Sequence, residues 1–339
     1  MPNPYRVIQI GLGTIGRPIA EAILMRENLA LVAAVDANPE FQGKAVSDII
    51  QSKYESGVVV TDNLDDALKH SADVALIATS SSLEAVMPTI YSALDSGLDV
   101  VSICEELSYP YDRHKDLSRQ LDKTAKEVGK TVLGTGINPG YLMDLLPIIL
   151  TAPCQNVEKI TVTRTINSSR RRMSFQKKIG TGMTKDAFLE AIAKGDITGH
   201  VGLIESIRMI DDALKLELDN IEELPPEAVI ASTEVTTPFT TVTVGNVLGL
   251  RSRGVGQRKG ENIVTLDFIA HADATPEYDE VVVEGYPEIH QRIEGGVMGD
   301  HGTVGMAINC IPLVVEAIPG LVTMKDLPAP RNTQFYLRE

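Results

Sequence analysis

The chain has 339 residues, 43% hydrophobic and 23% charged, an ordinary globular composition with more length than one core usually organises, so two domains are expected. Its net charge of −15 argues against nucleic acid or an anionic membrane as partner, since both call for a basic surface. No apolar run approaches a membrane helix, no signal-peptide segment opens the chain, and three widely spaced cysteines fit a reducing cytoplasm without disulfides or a metal cluster.

Tyr5 to Asp36 reads as one strand, turn, helix and strand. The apolar run Val7, Ile8, Ile10 is broken by Gly11-Leu12-Gly13-Thr14-Ile15-Gly16, after which Ile15, Ile19, Ala20 and Ile23 recur at helical spacing. This is a G-x-G-x-x-G fingerprint in its required context. Gly11 permits the tight turn, Gly13 the approach of a pyrophosphate, and Gly16 close packing of helix on strand; Leu12, Thr14 and Ile15 complete the loop at the helix N-terminus. The second run, Leu29 to Val35, ends at Asp36, where an acid accepts the ribose hydroxyls of NAD and repels a 2′-phosphate. NAD is therefore the expected cofactor and NADP the alternative, because Asn38 and Lys44 lie just beyond.

Short strands and helices continue to alternate. Val58 to Val60 is a strand, Asn63 to His70 a helix, and Val74 to Ala78 a buried strand ending in Thr79-Ser80-Ser81-Ser82. That alternation predicts a parallel sheet with helices on both faces. Thr79, Ser80 and Ser81 fall at a carboxyl end of the sheet, close enough to line a cofactor site; the serines equally suit an N-cap for the helix from Leu83.

The strand Val100 to Cys104 runs into Glu105-Glu106. Carboxylates at that point suit acid/base chemistry, although acids also stabilise the start of the helix from about Asp112. Strand alternation lets one of the two point at a substrate and leaves open which. The strand Thr131 to Gly136 leads to the turn Asn138-Pro139-Gly140 and a helix Met143 to Leu150.

After Pro153 the pattern changes. Val157 to Ile166, Thr241 to Gly249, Asn262 to Ala270 and Asp279 to Val283 read as strands, with helices near Lys185 to Ala193 and Val201 to Leu214. Such runs predict an antiparallel sheet. The fold class is therefore α/β: a Rossmann doubly wound parallel sheet over residues 1–140, joined by a return helix within about 302–339, plus an α+β substrate-binding and dimerisation domain over 141–301. The second domain is expected to cover the carboxyl edge of the first. The basic stretch Arg170-Arg171-Arg172 with Lys177-Lys178 reads as a loop near an anion or a subunit contact.

Five segments carry a resemblance: the glycine fingerprint, Cys104 to Leu107, Gly134 to Gly140, Gly199 to Ser206 and Gly295 to Asp300. Together they resemble the 2,4-diaminopentanoate dehydrogenase family, in the dihydrodipicolinate-reductase-like group that also holds native amine dehydrogenases. The resemblance implies NAD(P)-dependent oxidative deamination of 2,4-diaminopentanoate at C4, as in ornithine breakdown, by a cytoplasmic homodimer. It places the acid/base at Glu105 or Glu106, with the other near the nicotinamide ribose, and substrate contacts at Arg164, His271 and Asn138. Unaided, Arg164 reads as a solvated strand residue and His271 as an edge histidine. The alternatives are an amine dehydrogenase for simple amines and a non-catalytic NAD-binding regulator.

Overall fold

The computed structural model describes residues 3–334. They form two compact units: one runs to Tyr141 and resumes at Met298, and the other is Leu142–Val297. The first unit begins β1 (Tyr5–Ile10), α1 (Gly16–Leu24), β2 (Leu29–Val35), α2 (Val46–Ile50), β3 (Val60–Thr61), α3 (Leu64–Leu68), β4 (Val74–Ile77), α4 (Leu83–Asp95), β5 (Asp99–Ser102), α5 (Lys115–Val128) and β6 (Thr131–Gly134). The second holds α6 (Leu145–Leu150), β7 (Asn156–Asn167), α7 (Met173–Lys178), α8 (Lys185–Lys194), α9 (Leu203–Leu214), β8 (Asn220–Ile230), β9 (Val235–Thr236), β10 (Thr241–Val242), β11 (Val247–Arg258), β12 (Glu261–His271), β13 (Tyr278–Tyr286) and β14 (Ile289–Glu294). The chain then returns as α10 (Gly299–Asn309), α11 (Ile311–Val315) and β15 (Gly320–Val322).

In the first unit a seven-stranded parallel sheet has the order β15-β6-β5-β4-β1-β2-β3. The central strand β4 is apolar and buried along its whole length because helices cover both faces. One face packs Ile8, Ile77 and Val100 against Leu83, Ile90 and Leu121 of α4 and α5. The chain steps from β1 outward to β2 and β3 and then back to β4 on the other side of β1. This reversal opens a crevice at the carboxyl ends of β1 and β4, where ligands of such sheets bind.

The return segment differs from the single helix read in the sequence. It breaks at Cys310, with Pro312 in the first turn of α11, where its missing amide costs no hydrogen bond. It then adds β15 beside β6, a strand too short for periodicity to reveal. Among the described residues no helix is long and apolar enough to cross a membrane.

The second unit carries a six-stranded sheet, β14-β13-β7-β12-β11-β8. It is mixed rather than purely antiparallel, because β12 lies parallel to β7. Strand β8 was absent from the sequence reading. Pro225 and Pro226 cannot donate to a ladder, and the strand exists because it sits at the sheet edge, where that defect is tolerated. The run read as Thr241 to Gly249 is two elements, β10 and the start of β11, separated by a turn at Gly245 (φ 87°).

Candidate active site

The three fingerprint glycines meet different surroundings. Gly11 has φ 94°, and a side-chain carbon there would lie 2.5 Å from the Ala78 carbonyl oxygen. One at Gly16 would collide with the Gly11 carbonyl. Gly13 has nothing within 4 Å of that position. The outer two are thus demanded by the turn itself, while the middle one leaves open space that a ligand can enter. The buried Gln9 side chain braces the loop through Nε2, which donates to the Gly11 carbonyl at 2.9 Å. Following Thr14 and Ile15, α1 starts without a capping side chain or an acid in its first turn, leaving the positive end of its dipole for an anion.

Asp36, at the end of β2, closes over this loop. Its Oδ2 accepts from the Leu12 amide at 2.6 Å and its Oδ1 from the Asn38 amide at 2.8 Å. Each oxygen retains a lone pair for a ribose hydroxyl. On the opposite side, Thr79 approaches Gly11 so closely that a side-chain carbon there would be 2.9 Å from the Thr79 methyl. Residues Gly11 to Gly16, Asp36 and Thr79 therefore gather at one end of the sheet, and their donors, open space and helix dipole fit a dinucleotide.

Ser80 and Ser81 follow in the same loop. Ser80 Oγ accepts from the Ser82 amide at 3.1 Å. Ser82 occupies the N-cap of α4, but its side chain does not cap the helix. The carboxylate of Glu106 does so from just beyond β5, with Oε2 accepting from the Leu83 amide at 2.8 Å. The serine cap read in the sequence is thus replaced by a charged acceptor, which suits a helix N-terminus better.

Glu105 and Glu106 diverge because they lie on a 3-10 turn, Glu105–Leu107, rather than on the strand itself as the alternation argument assumed. Beyond the Leu83 contact, Glu106 has Arg113 Nη2 at 3.4 Å from Oε1 and His114 Nε2 at 3.2 Å from Oε2. The His114 approach lacks hydrogen-bond alignment. The Glu106 side chain is 15% exposed. The half-buried Glu105 side chain, by contrast, makes no hydrogen bond or ion pair with any described residue. Cys104, just before them, is inert: burial pushes its thiol up to about 12, and its Sγ donates to the Ser81 carbonyl. Asn138 follows β6 at the same end of the sheet, in a turn whose Asn138–Pro139 bond is cis.

In the second unit Arg164 is 2% exposed, contrary to its reading as a solvated strand residue. The register aligns it with Phe268 on β12 and Asp279 on β13. Its Nε lies 3.5 Å from Asp279 Oδ1, and its Nη2 donates to the Val297 carbonyl at 2.5 Å. The Val297 amide in turn donates to Asp279 Oδ2 at 2.7 Å, so the carboxylate ties both ends of the arrangement. Nη1 is buried without a hydrogen-bond partner among the described residues. Burial lowers the Arg164 pKa and raises that of Asp279, while each charge opposes the shift of the other.

His271 is not an edge histidine, since β12 lies between β7 and β11. Alternation along β12 also turns it to the face opposite Phe268 and hence opposite Arg164, so the two predicted contacts do not converge on one face. The histidine on Arg164's face is His200, whose ring stacks on Phe268 with centroids 4.2 Å apart. Burial, then Arg164 and Lys178, hold His200 down at about 3, so it is neutral. Asp279, Val297 and His200 escaped the sequence reading as Arg164's surroundings because only the register brings them together.

A cavity of about 640 Å³ opens elsewhere in the first unit, between β2, β3 and α3, with Arg6, Leu31, Ala33, Val60 and His70 among its lining. It lies away from the fingerprint loop.

A crevice with its glycine loop, the Asp36 carboxylate beside it and, at the same end of the sheet, a Glu105 carboxylate without a partner among the described residues fits a dehydrogenase with an NAD(P)-binding oxidoreductase fold. Comparisons with known proteins narrow the class. The family model for the 2,4-diaminopentanoate dehydrogenase C-terminal domain matches residues 141–338, and that for the dihydrodipicolinate reductase N-terminus matches residues 5–103. The chain is 32% identical to 2,4-diaminopentanoate dehydrogenase from Acetoanaerobium sticklandii, across 98% of this chain and 96% of the relative. It is 24% identical to an amine dehydrogenase from Streptomyces virginiae, with 94% of each chain covered. The structure of amine dehydrogenase from Mycobacterium smegmatis shares the fold, with a TM-score of 0.81 at 22% identity over 96% of this chain and 97% of that one. The chain belongs to the 2,4-diaminopentanoate dehydrogenase family.

Proposed function

We propose that the protein oxidatively deaminates 2,4-diaminopentanoate at C4, giving 2-amino-4-oxopentanoate and ammonia. The homology supports amine dehydrogenase activity in general, and the full-length relative supports this diamino acid in particular. The observation that carries the chemistry is the Glu105 carboxylate, without a partner among the described residues, at the same end of the sheet as a loop shaped for a dinucleotide.

NAD, held by the Gly11 to Gly16 loop and Asp36, supplies the hydride acceptor when bound. Asp36 favours NAD over NADP because its carboxylate would face the added phosphate. The substrate's neutral amine loses hydride from C4 and becomes an iminium ion. Glu105 stabilises that cation, takes a proton from the attacking water and returns it to nitrogen; as the carbinolamine collapses and ammonia leaves, the same carboxylate accepts the hydroxyl proton and releases it to solvent. One carboxylate thus serves both steps, and Glu106 is already engaged in the scaffold. Arg164 Nη1, the buried donor without a hydrogen-bond partner among the described residues, is the group we assign to the substrate carboxylate.

The test is the rise of reduced-nicotinamide absorbance with NAD or NADP against 2,4-diaminopentanoate, ornithine, alanine, cyclohexylamine and homoserine. Turnover of 2,4-diaminopentanoate far above the rest, lost in Glu105→Gln with NAD affinity kept, is the expected result. Removing a general acid/base of this kind costs about 10²- to 10⁴-fold. Turnover of cyclohexylamine alone would move the substrate to simple amines. Silence with every compound would leave a nucleotide-binding regulator.

A further inference from the structure

We propose that Glu106 is a positioning residue, a clasp that fixes both the cofactor loop and the turn presenting Glu105; this rests on Glu105 being the acid/base. Contacts run from the glycine loop to Glu105 without a break. Thr79 packs against Gly11. Two residues on, the Ser81 carbonyl accepts from the Glu106 amide at 3.3 Å and from Cys104 Sγ at 3.1 Å. The Glu106 side chain then reaches back over the same loop to the Leu83 amide, so loop and turn are bound to each other in both directions.

The turn is also held from below. Ser108 Oγ donates to the Glu105 carbonyl at 2.7 Å, and Gly134 of β6 lies so close to Leu107 that any side chain there would collide with its backbone. Arg113 and His114, just ahead of α5, approach the two Glu106 oxygens. Glu106 therefore joins three segments, the β4–α4 loop, the turn after β5 and the lead into α5, and it is the side chain among these whose carboxylate spans all three. A carboxylate so engaged cannot swing toward a substrate without uncapping α4.

Two variants separate the roles of this carboxylate. Glu106→Gln retains an oxygen for the Leu83 amide but loses the charge that Arg113 and His114 approach. Glu106→Ala loses both. Since the residue acts through the loop, NAD affinity measured by titration calorimetry, which needs no substrate, should weaken by roughly two- to threefold in the Gln variant and about tenfold in the Ala variant. Rates with the amine substrate should fall in the same order. Both Glu106 variants should raise the KM for NAD, whereas Glu105→Gln should lower kcat with the KM for NAD kept. Thermal unfolding with circular dichroism confirms that the Gln variant is folded.

Turnover abolished in Glu106→Gln with NAD affinity unchanged would place Glu106 at the reacting atoms and overturn the proposal. Wild-type NAD affinity and kcat in Glu106→Ala would overturn it equally. Turnover retained in Glu105→Gln would instead sink the acid/base reading, whatever the Glu106 variants show.

Discussion

His200 shows how one buried side chain can make the molecule pH-sensitive without taking part in chemistry. It is stacked on Phe268, beside the Arg164 charge and near Lys178, so protonation is opposed by burial first and by two cations second. Its folded pKa of about 3 lies below the unfolded value of about 6.5. Above about pH 6.5 neither state binds the proton and His200 imposes no penalty; below it the unfolded chain takes up a proton that the folded one refuses. Stability should therefore fall with pH on this account by ~1.4 kcal/mol per unit, or about 2 kcal/mol by pH 5. Glu223 works the other way. Burial and then Glu205 raise its carboxyl to about 7, so its contribution is full below about pH 4.5 and is lost as pH rises through about 7. Chemical denaturation of wild type and His200→Gln between pH 7 and pH 5 tests the assignment. The variant should be less stable at pH 7, having lost the stack, yet show a shallower decline; parallel curves would mean that His200 protonates in the folded state.

At the scale of elements, the β1–α1 turn was legible because glycine spacing, flanking apolar runs and the terminal acid all specify one local geometry. What the sequence could not separate was which glycine serves the fold and which the ligand. The surroundings do: Gly11 and Gly16 are crowded by backbone, and Gly13 is open. Gly13→Val is therefore expected to leave the thermal midpoint of the free protein nearly unchanged while filling the space a pyrophosphate would use. Wild type at a NAD concentration of about 100 times its Kd should gain ~2.7 kcal/mol of stability, a gain that Gly13→Val should lack. A NAD-dependent rise of equal size in the variant would place the dinucleotide elsewhere. The Glu105-Glu106 pair was legible as chemistry but not as a division of labour, because that division depends on the 3-10 turn and on a helix start 23 residues earlier in the chain. Likewise the edge strand β8 hid behind two prolines, and the surroundings of Arg164 depend on a register that no local pattern carries.

For the whole molecule, the net charge of −15 sets long-range repulsion against local pairing. Several ion pairs are exposed helix pairs such as Lys69 with Asp66 and Lys194 with Glu190, each worth little in water. The better shielded pairs are Lys130 with Asp99 at 3.2 Å, Arg251 with Asp267, and Arg164 with Asp279. Salt acts oppositely on the two contributions. Raising ionic strength from about 10 mM to about 150 mM shortens the Debye length from roughly 30 Å to roughly 8 Å, which removes repulsion between distant carboxylates but barely reaches a buried pair. With 46 acidic against 31 basic side chains, the screened repulsion should outweigh the weakened surface pairs, so the thermal midpoint at pH 7 should rise over this range. The check is a sodium chloride series with the chain at fixed concentration. A falling midpoint would mean that the ion pairs, rather than the excess of acid, dominate the electrostatics of this fold.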